Sequence, residues 1–369
     1  MFRNVFANKK VLVTGHLGFK GSWLSQWLTL LGAKVTGFSL DVPSEPNCFT
    51  CLGLIDSMED VRGDVRDRKA VNRLMLSLRP DFVFHLAAQP LVSSSIVEPF
   101  DTFETNALGS VAVLEALREV NKKTVVVMIT SDKVYENQEW EWGYREIDPL
   151  GGKDPYSASK AMAEVAIRSY VETFFSGSEN LVRLAIGRAG NVVGGGDWAE
   201  NRLVPDCMRA WAQNREVHIR NPESTRPWQH VLEPLSGYLA LASSLWCKPE
   251  FHGEAFNFGP KGTEAMTVAN FISLMADMWG NAGWKELSDR KLAIKESALL
   301  QLSCDKATNL LGWIPVLGAN TTVAYTVEWY KHFYACAPEP SIRNLTISQI
   351  RAYCDGASKM NLSWAQADD

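Results

Sequence analysis

Along the first 190 or so residues, short apolar runs alternate with stretches of helical spacing. Residues 9–14 (KKVLVT) form one such run. In the stretch after it, Trp23, Leu24, Trp27, Leu28 and Leu31 recur at the intervals of one helix face. Further buried strands are predicted at 34–40 (KVTGFSL), 81–88 (DFVFHLAA), 124–131 (TVVVMITS) and 181–188 (LVRLAIGR), with helices over 67–79 and 107–120 between them. Strands that are apolar throughout, separated by helices, predict a parallel sheet covered on both faces. The fold class is therefore α/β, a Rossmann-type doubly wound sheet.

From about Gly194 the rhythm breaks into GGGD, several prolines and several tryptophans. Residues 255–260 (AFNFGP) read as one more sheet strand, and LGWIP closes a shorter helical stretch at 311–315. We expect residues 1–193, with about 229–260, to form a dinucleotide-binding domain. About 194–228 and 261–369 would form a smaller mixed α/β domain that binds substrate.

Composition narrows the classes. Hydrophobic residues at 46% and charged residues at 21% fit an ordinary globular chain rather than a disordered one. The net charge of −5 gives no bulk attraction for nucleic acid, so any phosphate must be held by local backbone and a few placed cations. No apolar run reaches the roughly 20 residues of a membrane span, and no signal-peptide pattern precedes the first strand, so a cytoplasmic protein is expected. Seven cysteines, with one CxxC at Cys48 and Cys51, and six dispersed histidines suggest neither a disulfide framework nor a metal site.

Between the first strand and first helix lies TGHLGFKG, residues 14–21. Gly15, Gly18 and Gly21 in GxxGxxG spacing suit a tight turn that brings backbone and a helix N-terminus to a pyrophosphate. Thr14 and Phe19 flank them. The acid expected after the second strand to receive ribose hydroxyls is Asp41, although Ser39 competes for the strand-end position. No arginine neighbours either residue in sequence to meet a 2′-phosphate, which favours NAD over NADP. Asp64 and Val65 follow the third strand where an adenine edge would lie; alternatively Asp64 caps the next helix. Leu86, Ala87 and Ala88 end the fourth strand beside the cofactor crevice, with Gln89 next to them. His85 is either a crevice residue or a satisfied core residue, and His16 lies beside the pyrophosphate or points to solvent.

Tyr156 and Lys160, in YSASK, stand one helical turn apart on one face. A lysine and a cationic nicotinamide would pull the phenol toward working pH, making a base for a hydroxyl proton as hydride leaves the same carbon. Ser131, in ITSDKVYE at the end of the fifth strand, would hydrogen-bond that hydroxyl. The order glycine loop, serine, YxxxK is more specific than any one part. In the less regular half, Arg226 and Arg202 are each either a diphosphate clamp or a surface ion pair. Trp198 and Trp228 either stack on a ligand or pack in the core.

This arrangement resembles the extended short-chain dehydrogenase/reductase family. Within it, TGHLGFKGSWL, TSDKVYE, GNVVGGGDW with RLVPD, and RPWQHVLEPLSGYL are similar to the CDP-glucose 4,6-dehydratase group, over about Lys9 to Tyr334. The resemblance implies CDP-glucose as substrate, retained NAD, and a three-stage reaction of C4 oxidation, elimination of water across C5 and C6, and reduction at C6. It makes Asp132 the acid, Lys133 the base where thymidine-sugar relatives usually carry glutamate, and Asn191 a contact to the sugar diphosphate. It also implies a homodimer formed through helices that include the one bearing Tyr156. The product would feed 3,6-dideoxyhexoses of bacterial surface polysaccharide. The alternatives are a dehydratase or 4-epimerase for another nucleotide hexose, or a non-catalytic dinucleotide sensor on the same fold.

Overall fold

The computed structural model describes residues 1–177, 179–260, 266–280, 282–287, 299–336 and 341–366. Seven strands, β1 (Lys10–Thr14), β2 (Lys34–Ser39), β3 (Glu59–Arg62), β4 (Phe82–His85), β5 (Thr124–Ile129), β6 (Val182–Ala189) and β7 (Ala255–Phe258), make one sheet in the order β7-β6-β5-β4-β1-β2-β3. Every pairing in it is parallel. The central strands are buried along their whole length, as β-branched runs such as TVVVMI require when both faces are covered. Each strand expected from the sequence is present, including the late β7 beside β6.

The covering helices are α1 (Phe19–Leu30), α2 (Arg68–Leu78), α3 (Gly109–Arg118) and α4 (Pro155–Phe174), followed by α5 (Leu203–Ala212) and α6 (Leu232–Cys247). Asp154 begins α4 by accepting the Ser157 N–H at 3.0 Å, with Pro155 at the first helical position, so Tyr156 lies in the first turn. Asp67, not Asp64, caps α2 by accepting from the Lys69 and Ala70 N–H groups. Asp64 instead accepts from the Arg66 backbone and guanidinium.

Past β6 the described residues form three two-stranded sheets and helices α7 (Val268–Trp279), α8 (Ala319–Tyr334) and α9 (Ile342–Lys359). The end of the chain returns to the first half: α9 packs on α1, Trp364 stacks on Phe2 at 4.9 Å, and Tyr353 donates to buried Glu233 at 2.7 Å. The same carboxylate accepts the Val316 and Leu317 N–H groups after LGWIP. Residues 342–366 therefore reach back to α1 and α6.

One buried ion pair ties the catalytic helix to the sheet. Glu164 on α4 and Arg188 on β6 are both fully buried and joined by paired hydrogen bonds, Arg188 Nε reaching Glu164 Oε1 at 2.8 Å. Glu164→Gln would leave the Arg188 charge buried without its counter-ion, at a cost of about 3–5 kcal/mol. The double replacement Glu164→Leu with Arg188→Met should recover most of that loss in urea unfolding. Equal instability of the single and double variants would contradict this account.

Candidate active site

The glycine loop leaves β1 and crosses the end of β4 at close range. Gly15 has φ +76°, and a Cβ on it would lie 2.7 Å from the Ala87 nitrogen. A Cβ on Gly21 would lie 2.1 Å from the Gly15 carbonyl oxygen, so the first turn of α1 closes onto the loop only with glycine there. Gly18 is the N-cap and no side chain caps the helix. Backbone alone thus forms the cradle at this helix N-terminus, which fits a dinucleotide pyrophosphate. Thr14 Oγ1 accepts from the Ala87 N–H at 3.2 Å and bonds His85 Nδ1 at 2.8 Å. His85 also bonds Ser110, and burial pushes it down to about 3, so it is a neutral core residue. Phe19 packs against the main core, and Leu86, Ala87 and Ala88 are half-buried along the loop.

Several expectations at this end need correction. Arg62 Nη1 stands 2.9 Å from Asp41, carried there by β3, so the arginine missing from the sequence neighbourhood is supplied by the next strand. Its Nε is held by Asp60, so two carboxylates face one guanidinium and the local charge still disfavours a 2′-phosphate. His16 takes neither place considered: it is fully buried, bonded to Asp60 at 2.9 Å. Val65 is buried against Gly109 and cannot offer its side chain to an adenine. Gln89 spends its amide on Thr102 and on the Leu91 N–H, bracing the loop after β4.

The residues expected to be catalytic converge at the ends of β5 and β6. The Tyr156 phenol is influenced by the Ser131 hydroxyl and by Lys133, Asp132 and Arg202. Burial pushes this phenol up, against the pull of the Ser131 hydrogen bond and of Lys133 and Arg202. Lowering is expected from Lys160 and a bound nicotinamide together. Lys160, expected to supply it, turns its Nζ to the Ile129 carbonyl at 3.4 Å, and burial brings it down to about 8. Ser131 Oγ donates to Asp132 Oδ1 at 2.9 Å, and Lys133 Nζ is 3.9 Å from the same oxygen. A Cβ on Gly190 would lie 1.9 Å from Asp132 Oδ2, so the carboxylate sits where only glycine leaves room.

Arg202 pairs with Asp197 at 2.8 Å and acts on Tyr156. Asn191 is half-buried with φ +24°, its carbonyl accepting from the Gln229 N–H. Arg226 is half-buried on a short strand, one residue before Pro227, which with Asp132, Gly190 and Gln229 lines a small cleft. Trp198 is core, packed on Trp329 and Phe333, and Trp228 stacks on Phe271 at 4.5 Å.

Sequence reasoning missed Lys20. It lies inside the quoted glycine motif, at a position that reads as part of an apolar helix start. Its Nζ donates to the buried Tyr238 hydroxyl at 3.0 Å. Burial, then repulsion from Lys160 and Arg202, brings it down to about 7 against a smaller pull from Asp132. Lys20, Lys160 and Arg202 thus lie close enough to act on one another.

The sequence profile of the GDP-mannose 4,6-dehydratase family matches residues 12–326. The chain belongs to this family. A CDP-glucose 4,6-dehydratase of Salmonella typhimurium is 46% identical over 333 residues, covering 89% of this chain and 92% of that protein. A dTDP-glucose 4,6-dehydratase of Streptomyces antibioticus is 29% identical, covering 87% and 92%. Among solved structures, a dTDP-glucose 4,6-dehydratase of Streptomyces venezuelae with NAD bound superposes with a TM-score of 0.74 at 22% identity, covering 89% of this chain and 98% of its own. The family and the relatives bear out the resemblance read from the motifs, and the structural likeness bears out the fold. No described helix is long and apolar enough to cross a membrane.

Lys20 has a measurable signature. Between about pH 7 and its ordinary value of 10.5, the unfolded chain holds a proton that the folded chain has released, so this site's contribution to stability rises with pH across that window. Lys20→Met should therefore stabilise the protein more at about pH 6 than at about pH 10. Urea midpoints showing the same gain at both values would rule out a strained, buried lysine.

Proposed function

We propose that the chain converts CDP-glucose to CDP-4-keto-6-deoxyglucose and water, with NAD held by the glycine loop, Asp41 and the segment after β4. The observation that carries the reading is the placement of Asp132 and Lys133 around Ser131 and Tyr156. A simple dehydrogenase or a 4-epimerase needs a hydroxyl-deprotonating tyrosine with its serine and lysine. Elimination needs in addition an acid for the leaving oxygen and a base for the carbon proton. Asp132 is buried beside Ser131, and Lys133 Nζ lies 3.9 Å from it, partly exposed to the cleft. The 46% identity to a protein named for this activity supports the CDP-linked substrate over other nucleotide hexoses.

When bound, NAD supplies a hydride acceptor that returns the same hydride later. Tyr156 takes the C4 hydroxyl proton, with Ser131 holding the phenol in place. The 4-keto group acidifies C5, and Lys133, in its amine form, removes that proton. Asp132 protonates the C6 oxygen as it departs, and Lys133 gives its proton back to C5 when C6 is reduced. Arg202 and Arg226 bind the diphosphate, guanidinium matching phosphate by paired hydrogen bonds. Asn191 contacts the same group. A homodimer is supported by Phe100, Leu108, Met162 and Val165, large apolar side chains left exposed on α4 and the segment before α3.

Two outcomes follow. With deuterium at C4 of CDP-glucose, mass spectrometry should find the label at C6 of the product, with no net accumulation of NADH; stoichiometric free NADH would mark a simple dehydrogenase. Tyr156→Phe keeps the ring and removes the proton acceptor, so turnover should fall by about 10²–10⁴ while the fold and dinucleotide binding persist. Near-normal turnover in this variant would take Tyr156 out of the chemistry.

A further inference from the structure

The dehydratase reading, on which this inference rests, leaves one proton to be placed. Oxidation removes a proton from the C4 hydroxyl, and elimination adds one to the C6 oxygen. The proton taken from C5 is returned to C5. The expelled water is therefore the C6 hydroxyl plus, in net terms, the C4 hydroxyl proton. If Tyr156 and Asp132 worked independently, each turnover would leave Tyr156 with one proton too many and Asp132 with one too few.

The structure connects the two groups through one atom. After burial, the Ser131 hydroxyl is the largest influence on the Tyr156 phenol, and the Ser131 Oγ donates to Asp132 Oδ1 at 2.9 Å. The Lys133 backbone N–H donates to that Oγ at 3.2 Å, which fixes the hydroxyl between its neighbours. Ser131 and Asp132 are 5% and 2% exposed, so bulk water is a poor alternative partner for either. On its far side the carboxylate rests on Gly190, where a Cβ would collide with Oδ2 at 1.9 Å. The surrounding charges come from Lys133 on the same segment, Lys20 on α1, Lys160 on α4 and Arg202 before α5, with the Tyr238 hydroxyl facing from α6.

We propose that Ser131 is a proton relay, so that the proton taken from the C4 hydroxyl during oxidation loads Asp132 and is the one Asp132 delivers to the C6 oxygen. As hydride leaves C4, the C4 O–H bond breaks and its proton goes to the phenol oxygen. The phenol passes its own proton to Ser131 Oγ, and the serine passes its proton to Asp132 Oδ1. The 4-keto group forms with Tyr156 and Ser131 both neutral and Asp132 as carboxylic acid. Lys133 then takes the C5 proton, the C6–O bond breaks, and the Asp132 proton completes the water. Return of hydride to C6 and of the lysine proton to C5 leaves every group as it began. The phenol never ionises into solvent, so the burial that pushes it up does not obstruct the reaction.

The relay makes Asp132 a participant in oxidation as well as elimination, and rapid mixing with CDP-glucose separates the two. Formation of reduced nicotinamide should slow by about 10²-fold in both Asp132→Asn and Ser131→Ala, and recover to within severalfold of wild type in Ser131→Thr, which restores a hydroxyl. In mixtures of light and heavy water the wild-type oxidation rate should curve with deuterium content, several protons moving together, and the Ser131→Ala rate should follow a straight line. Asp132→Asn oxidising C4 at the wild-type rate, or a straight line for the wild type, overturns the relay while leaving a dehydratase. The wild-type measurement stands even if a variant fails to fold. Wild-type protein that dehydrates no nucleotide hexose would instead overturn the functional reading, and the relay with it.

Discussion

The guanidinium of Arg188 and the carboxylate of Glu164 are taken wholly out of water, which is tolerable only when the remaining donors and acceptors are also satisfied. They are. Arg188 Nη1 donates to the Tyr135 hydroxyl at 2.6 Å and to the Glu146 carbonyl, Tyr135 donates to Asn257 on β7, and Thr130 donates to Glu164 at 2.7 Å. This one network therefore fixes four things together: α4 one turn beyond Lys160, β6, β7, and both ends of the segment that carries Ser131, Asp132 and Lys133. The spacing between the Tyr156 helix and the Ser131 segment follows from it. Residues that react are at the cleft, but what sets their separation is a buried charge pair behind them.

What could be read in advance was whatever depends on neighbours in sequence. A run such as TVVVMI declares a strand buried on both faces, three glycines after the first strand declare a close backbone approach, and Tyr156 and Lys160 declare a shared helix face. Properties set by a distant segment were hidden. Arg62 reaches Asp41 because β2 and β3 pair side by side; nothing within a few residues of Asp41 signals it. Val65 is buried by the approach of α3, and the α2 cap went to Asp67, which sits where its carboxylate meets two free N–H groups. The return of α9 to α1 depends on Glu233 and Trp364, more than a hundred residues apart in the chain. Lys20 was visible as a letter and not as a charge, because its ammonium becomes significant only when Tyr238, Lys160 and Arg202 close around it.

That cluster explains how a chain with net charge −5 can hold a ligand rich in phosphate. Lys20, Lys133, Lys160 and Arg202 are concentrated at the carboxyl ends of β5 and β6, while acids dominate elsewhere. Low-dielectric walls focus such a charge on whatever enters the cleft. The downward push on Lys20 and Lys160 comes first from burial, with repulsion from Lys160 and Arg202 added at Lys20: each is easier to deprotonate in the fold than in water. An anion seated among them would remove that repulsion and restore their charge, so proton uptake and diphosphate binding are linked in this site. In the proposed reaction, the same field would favour negative charge on the C4 oxygen and on the enolate formed when the C5 proton leaves. Asp132 lies beside Lys133 and accepts from Ser131, while Arg202 has Asp197 as its partner. On the proposed relay, Asp132 draws the proton it delivers from the substrate's own hydroxyl, within one cycle.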